Sequence, residues 1–91
     1  MKFEQIILQQ NLGVSSVIHV RKLINDILKH SSFIRIDFRN VKMIDSSGIS
    51  LLVNCATRLR RINGKLVICN VTQELRELFD LADPDHTIEV E

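Results

Sequence analysis

Apolar positions along this chain follow two alternating rhythms, and each change of rhythm marks a change of element. Residues 2–9 carry Phe3, Ile6, Ile7 and Leu8 ahead of polar Gln9-Gln10-Asn11, which predicts a first strand. Leu12-Gly13-Val14 is a short connection, and Ser15 and Ser16 are candidate N-caps. Val17, Val20, Leu23, Ile24, Ile27 and Leu28 then recur at three- and four-residue spacing. That spacing predicts an amphipathic helix ending near Lys29-His30, with Ser31-Ser32 as a loop.

The rhythm drops to two from Phe33 to Phe38. Ile34, Ile36 and Phe38 face one side and Arg35, Asp37 and Arg39 the other. A strand with one polar face implies helices covering mainly one side of the sheet. Asn40 to Lys42 turn the chain, and Ile44 re-enters the core. From Ser46 to Ile62 the period is helical again, with Ile49, Leu52, Val53, Ala56, Leu59 and Ile62 as its stripe and Cys55 at the border. Asn63-Gly64 stops that helix, because both residues tolerate the left-handed conformation beyond a helix end. Lys65 to Val71 contains the run Leu66-Val67-Ile68-Cys69, read as a central strand buried on both faces.

Thr72 can cap a third helix with Glu74 in its first turn and Leu75, Leu78, Phe79 and Ala82 inward. Asp83-Pro84-Asp85 ends it, since proline disfavours helical geometry in the residue before it. Thr87 to Glu91 alternates as an edge strand with Ile88 and Val90 inward. The order β-α-β-α-β-α-β defines one α/β domain over residues 1–91, with a mixed or parallel sheet and right-handed crossovers.

Composition narrows the field without naming a function. Twelve Lys/Arg against eleven Asp/Glu give a net charge of +1, which argues against a dedicated nucleic-acid binder. Arg58, Arg60 and Arg61 fall at a predicted helix end, where cations favour the macrodipole, and read as a solvated terminus. No apolar run approaches the ~20 residues of a membrane-spanning helix. Glu4 and Gln5 interrupt any secretory apolar region, so a cytoplasmic protein without membrane insertion is expected. Cys55 and Cys69 sit in apolar patterns as reduced thiols, and His19, His30 and His86 have no metal-ligand spacing. Neither metal nor cofactor is expected.

The chemistry concentrates in Asp45-Ser46-Ser47-Gly48, at a strand-to-helix junction where free helix N–H groups collect. Catalysis there lacks partners. Ile44 precedes Asp45, so no nucleophile elbow forms, and phosphate-cradling glycine motifs are absent. Two readings stand level on chemistry alone. Asp45 or Ser46 caps the helix and nothing more, or the junction is a binding site.

The wider stretch Arg35-Ile36-Asp37-Phe38-Arg39-Asn40-Val41-Lys42-Met43-Ile44-Asp45-Ser46-Ser47-Gly48-Ile49-Ser50-Leu51-Leu52 resembles the signature of the STAS domain family. Asn63 to Val71 and Glu74 to Ala82 resemble its next strand and helix. Members usually open with a two-stranded hairpin, here shortened to one strand, and Asn11-Leu12-Gly13-Val14 replaces the usual loop after it. The resemblance implies an anti-sigma factor antagonist, a binding module switched by phosphorylation. It places the phosphate on Ser46, with Ser47 the weaker candidate. It implies partner contacts from Asp45, Ser46, Ser47, Gly48, Ile49, Leu12, Gly13 and Asn70. The implied partners are a GHKL-type anti-sigma serine kinase and a serine phosphatase. Alternatives are a constitutive subunit or scaffold, such as that of an ABC-type lipid transporter, and a small-anion or nucleotide binder. The shortened hairpin leaves a sheet edge that a second copy could pair with in a homodimer.

Overall fold

A computed structural model describes residues 2–91. The chain forms β1 (Glu4–Ile7), α1 (Val17–Leu28), β2 (Phe33–Asp37), α2 (Ser46–Arg61), β3 (Lys65–Cys69), α3 (Gln73–Ala82) and β4 (Glu89–Val90). The strands lie side by side in chain order, and every pair is parallel. Each successive pair is joined through a helix, so of the mixed or parallel sheet expected, the parallel form is the one observed among the described residues. Ile6, Ile36, Ile68 and Val90 share one register row across all four strands.

One apolar cluster joins Ile34, Ile36, Leu66 and Ile68 to Val20 and Ile24 of α1, Leu52, Ala56 and Leu59 of α2, and Leu75 and Phe79 of α3. All three helices therefore cover one face, as the alternation in β2 predicts. Val67 and Cys69 point to the other face and lie outside that cluster, yet both are buried. Long polar side chains shield them. Arg35 reaches Cys69 Sγ at 3.5 Å and Glu91 at 2.5 Å, and Lys65 meets Glu89 at 3.0 Å. The aliphatic stems of such residues cover apolar surface while their heads stay wet.

Several expectations shift in detail. The first strand spans four residues rather than eight, because Gln9 to Gly13 bend away to meet the segment before α2. Leu51 and Cys55 are buried in α2, while Ile62 is its C-cap and 57% exposed. The buried arc widens toward α1, where Ile24 shares a groove with Leu51 and Cys55. Burial pushes the Cys55 thiol up to about 11, so it is an inert core group. Ala82 is exposed at the last position of α3. Asp83 ends that helix and accepts the N–H groups of Thr87 and Ile88 at 3.0 and 2.8 Å, turning the chain into β4.

Gly64 serves a purpose other than the expected one. Asn63 takes the left-handed conformation (φ 60°), and no glycine has positive φ. What Gly64 supplies is space: a Cβ there would lie 2.1 Å from the Ser32 carbonyl oxygen. That carbonyl accepts the Lys65 N–H at 2.9 Å, which starts the β2–β3 pairing.

Candidate functional site

The carboxyl ends of β1, β2 and β3 point to one edge of the sheet, where three loops lead into the three helices. Two of them are stapled together. Leu12 and Ile44 form a parallel bridge, with the Leu12 N–H on the Met43 carbonyl and the Asp45 N–H on the Leu12 carbonyl, both at 3.2 Å. Asn11 Oδ1 accepts the N–H groups of Lys42 and Met43 at 2.8 and 3.1 Å. A short extra strand pairing thus ties the loop after β1 to the start of α2.

Asp45 is the N-cap of α2 and the centre of this arrangement. Its Oδ1 accepts the N–H groups of Ser47 and Gly48 at 3.0 and 3.1 Å and the Ser47 hydroxyl at 2.6 Å. Its Oδ2 accepts the Val14 N–H at 3.0 Å, across 31 residues of chain. The Ser47 hydroxyl first, then the Gly48 and Val14 N–H groups, hold the carboxyl below the usual carboxylate range. Two glycines make the approach possible. A Cβ on Gly13 would lie 2.7 Å from Asp45 Oδ2, and one on Gly48 would lie 2.7 Å from the Leu12 carbonyl oxygen. Asp45→Ala should lower the melting temperature and speed hydrogen exchange at the Val14 amide, read by NMR. Unchanged exchange there would remove the cross-loop role.

The two serines differ. Ser47 is half-buried, and its hydroxyl is committed to Asp45. Ser46 is exposed at the first residue of α2, and among the described residues nothing hydrogen-bonds its hydroxyl. Apolar side chains with little cover lie beside Asp45, the residue before it. Val14 is 76% exposed and Met43 68%, both on the rim of a shallow 230 Å³ depression that also includes Asp45. Ile18, in the first turn of α1, is exposed too.

The STAS domain model matches residues 6–91, nearly the whole chain. The chain belongs to the STAS domain family. Solved structures agree at the level of fold. A protein assigned as an anti-sigma factor antagonist from Thermotoga maritima superposes with a TM-score of 0.82 at 18% identity, over 98% of this chain and 81% of that one. The anti-sigma factor antagonist SpoIIAA in its unphosphorylated form gives 0.74 at 19% identity, over 100% and 82%. The Bacillus cell fate determinant SpoIIAA in its phosphorylated form gives 0.73 at 20% identity, over 96% and 80%. Among curated proteins, none matches the sequence at a significant level.

Against this STAS frame the expected site residues separate. Asp45, Ser46, Ser47, Gly48 and Ile49 form the start of α2, and Gly13 touches Asp45. Leu12, expected at a partner surface, is 1% exposed and works from inside as the bridge to Ile44. Val14 takes the outward place instead. Gly48 is also buried and contributes space rather than surface. Asn70 lies on the same sheet edge at the end of β3, in the left-handed conformation (φ 56°). Its amide is engaged, donating to Asp37 Oδ1 at 3.0 Å. Ser16, a candidate cap for α1, makes no capping bond; its buried hydroxyl donates to the Asn11 carbonyl at 2.9 Å and so braces the β1–α1 loop. Val14, Met43 and Ile18 were not identifiable from sequence, because an apolar residue in a loop gives no sign of which way it faces.

Asp37 corrects the sequence reading most. It lies on the polar face of β2, yet it is buried. Arg39 donates to Oδ2 through Nε at 3.0 Å and Nη2 at 2.6 Å, and its N–H donates to Oδ1 at 2.9 Å. The Arg39 side-chain bonds above all, with Asn70 and the backbone adding and burial opposing, hold the carboxyl far below its ordinary range. A carboxyl depressed on folding makes the unfolded chain the better proton binder as pH falls below about 4, so stability drops with acid there. Asp45 acts in the same direction. Asp37→Ala should cost about 2–3 kcal/mol at neutral pH and flatten the acid side of a melting-temperature profile from pH 7 to 2. An acid limb as steep as wild type would show that Asp37 does not supply it.

Proposed function

We propose that this STAS domain is an anti-sigma factor antagonist, a cytoplasmic binding module rather than a catalyst, controlled by phosphorylation of Ser46. The observation that carries the reading is the division of labour between the two hydroxyls. Ser47 is spent on Asp45, whereas Ser46 is exposed at a capped helix start, next to Asp45, which itself lines a depression with exposed Val14 and Met43. That one of the similar structures is of a phosphorylated antagonist supports the same reading.

Phosphate at this position suits the local electrostatics. A phosphoserine adds about −1.5 to −2 charges at pH 7. Negative charge at an exposed helix N-terminus is favoured by about 0.3–1 kcal/mol, and the Asp45 cap and loop staple stay in place beneath it. The modification therefore changes the surface and leaves the fold. Unphosphorylated, the domain holds a GHKL-type anti-sigma serine kinase against Ser46, Val14 and Met43. That sequestration frees the sigma factor, and a serine phosphatase restores the binding form.

Affinity purification from the protein's own cells tests this. The expected co-purifying protein is a GHKL-type serine kinase, retained by wild type and by Ser46→Ala. Recovery of a transporter ATPase in place of a kinase would overturn the reading in favour of a constitutive subunit.

A further inference from the structure

Charge is distributed along this chain far less evenly than its total of +1 implies. Eleven of the twelve Lys/Arg but only four of the eleven Asp/Glu precede residue 73, giving +7 for residues 1–72 and −6 for residues 73–91. Helix α2 contains no acidic residue at all, and three arginines lie in its last two turns.

Two of those arginines, Arg58 and Arg61, share a groove with Arg21 of α1. The groove runs between the two helices, measures about 470 Å³, and has a floor of Ile24, Leu51 and Cys55. Among the described residues, no carboxylate lines it. None of the three guanidiniums takes part in an ion pair among the described residues; Arg58 touches only the Asn25 amide, at 3.3 Å. The one acidic residue of α1, Asp26, turns to Lys29 at 3.6 Å instead.

Three cationic side chains line one groove without a counterion, and an anion bound between them would offset their mutual repulsion. Guanidinium forks match phosphate oxygens in pairs, more so than lysine would. The volume falls within the ~300–1,000 Å³ common for small-ligand sites. An apolar floor under a cationic rim suits a ligand with a flat uncharged part and several negative charges.

We propose that the α1–α2 groove is a binding site for a small phosphate polyanion, held by Arg21, Arg58 and Arg61. The site is distinct from the Ser46 edge and independent of the function assigned to it. The net positive charge of residues 1–72, which form both walls of the groove, favours anions there.

Isothermal titration of the full chain at low salt, first with inorganic tripolyphosphate and separately with magnesium-free ATP, tests the site. One saturable equivalent is expected. Arg58→Gln and Arg61→Gln should each weaken it about tenfold, while Lys65→Gln, an equal loss of charge outside the groove, should not. Amide shifts in the complex should map to α1 and α2. Equal affinity for the two probes would assign recognition to the phosphate chain alone, and tighter ATP binding would assign the floor to the nucleoside. Absence of saturable heat with both probes at millimolar concentration would overturn the proposal. So would an affinity that the two arginine variants reduce no more than Lys65→Gln, with all three melting as wild type.

Discussion

Ser46→Asp is expected to weaken binding to the anti-sigma kinase by nearly three orders of magnitude, with the fold unchanged. On the proposed reading the kinase presents a carboxylate to Ser46; a negative charge about 4 Å from it, at an effective dielectric near 20, costs about 4 kcal/mol, and each 1.4 kcal/mol is about tenfold in affinity. The position makes the effect local. Ser46 is exposed, and the contacts that shape the site run through Asp45, Leu12 and Asn11 instead. Ser46→Ala removes a hydroxyl that makes no hydrogen bond among the described residues and should bind as wild type. Surface calorimetry or biolayer interferometry with the purified kinase reads both. Wild-type affinity in Ser46→Asp would end the switch idea, whatever the alanine variant does.

Gly64→Ala should damage the fold severely. A methyl group at 2.1 Å from the Ser32 carbonyl meets backbone rather than a flexible side chain. The chain must move where α2 ends and β3 begins its pairing with β2, and the Lys65–Ser32 hydrogen bond lies in the way. Overpacking of this severity costs about 3 kcal/mol. For a domain of this size that is a fall in melting temperature of more than about 10 °C. Gly48→Ala, at 2.7 Å from the Leu12 carbonyl, strains the site rather than the sheet. A Gly64→Ala protein melting within a few degrees of wild type would show that the Ser32 segment yields easily and that the close approach is not required.

Much of the architecture can be read from spacing because the elements are short and each keeps one rhythm. Ile34, Ile36 and Phe38 point to the helices, and the Leu66–Cys69 run is buried on both faces, as the patterns predict. Spacing fails where a contact bridges distant parts of the chain. The bond from Asp45 to Val14 and the Leu12–Ile44 bridge join loops about thirty residues apart, so neither segment alone reveals the other. Asp37 is hidden for a related reason. Alternation assigns it to the polar face, but Arg39 and Asn70 close that end of the face over it. Gly64 shows a third limit: a glycine after a helix suggests a left-handed turn, and only the packing reveals that Asn63 makes the turn while Gly64 makes room.

At Asp45 the two sequence readings turn out to be compatible. Asp45 caps the helix, as the simpler reading requires, and the same carboxylate binds Ser47 and the opposite loop. By occupying Ser47 it leaves Ser46 as the hydroxyl available to an outside enzyme. The most direct measurement follows from that geometry: incubation with ATP and the co-purified anti-sigma kinase, then tandem mass spectrometry of the product. One phosphate on Ser46, absent from Ser46→Ala, is the predicted result. An unmodified chain, or a phosphate carried on Ser47 with Ser46 untouched, would contradict it.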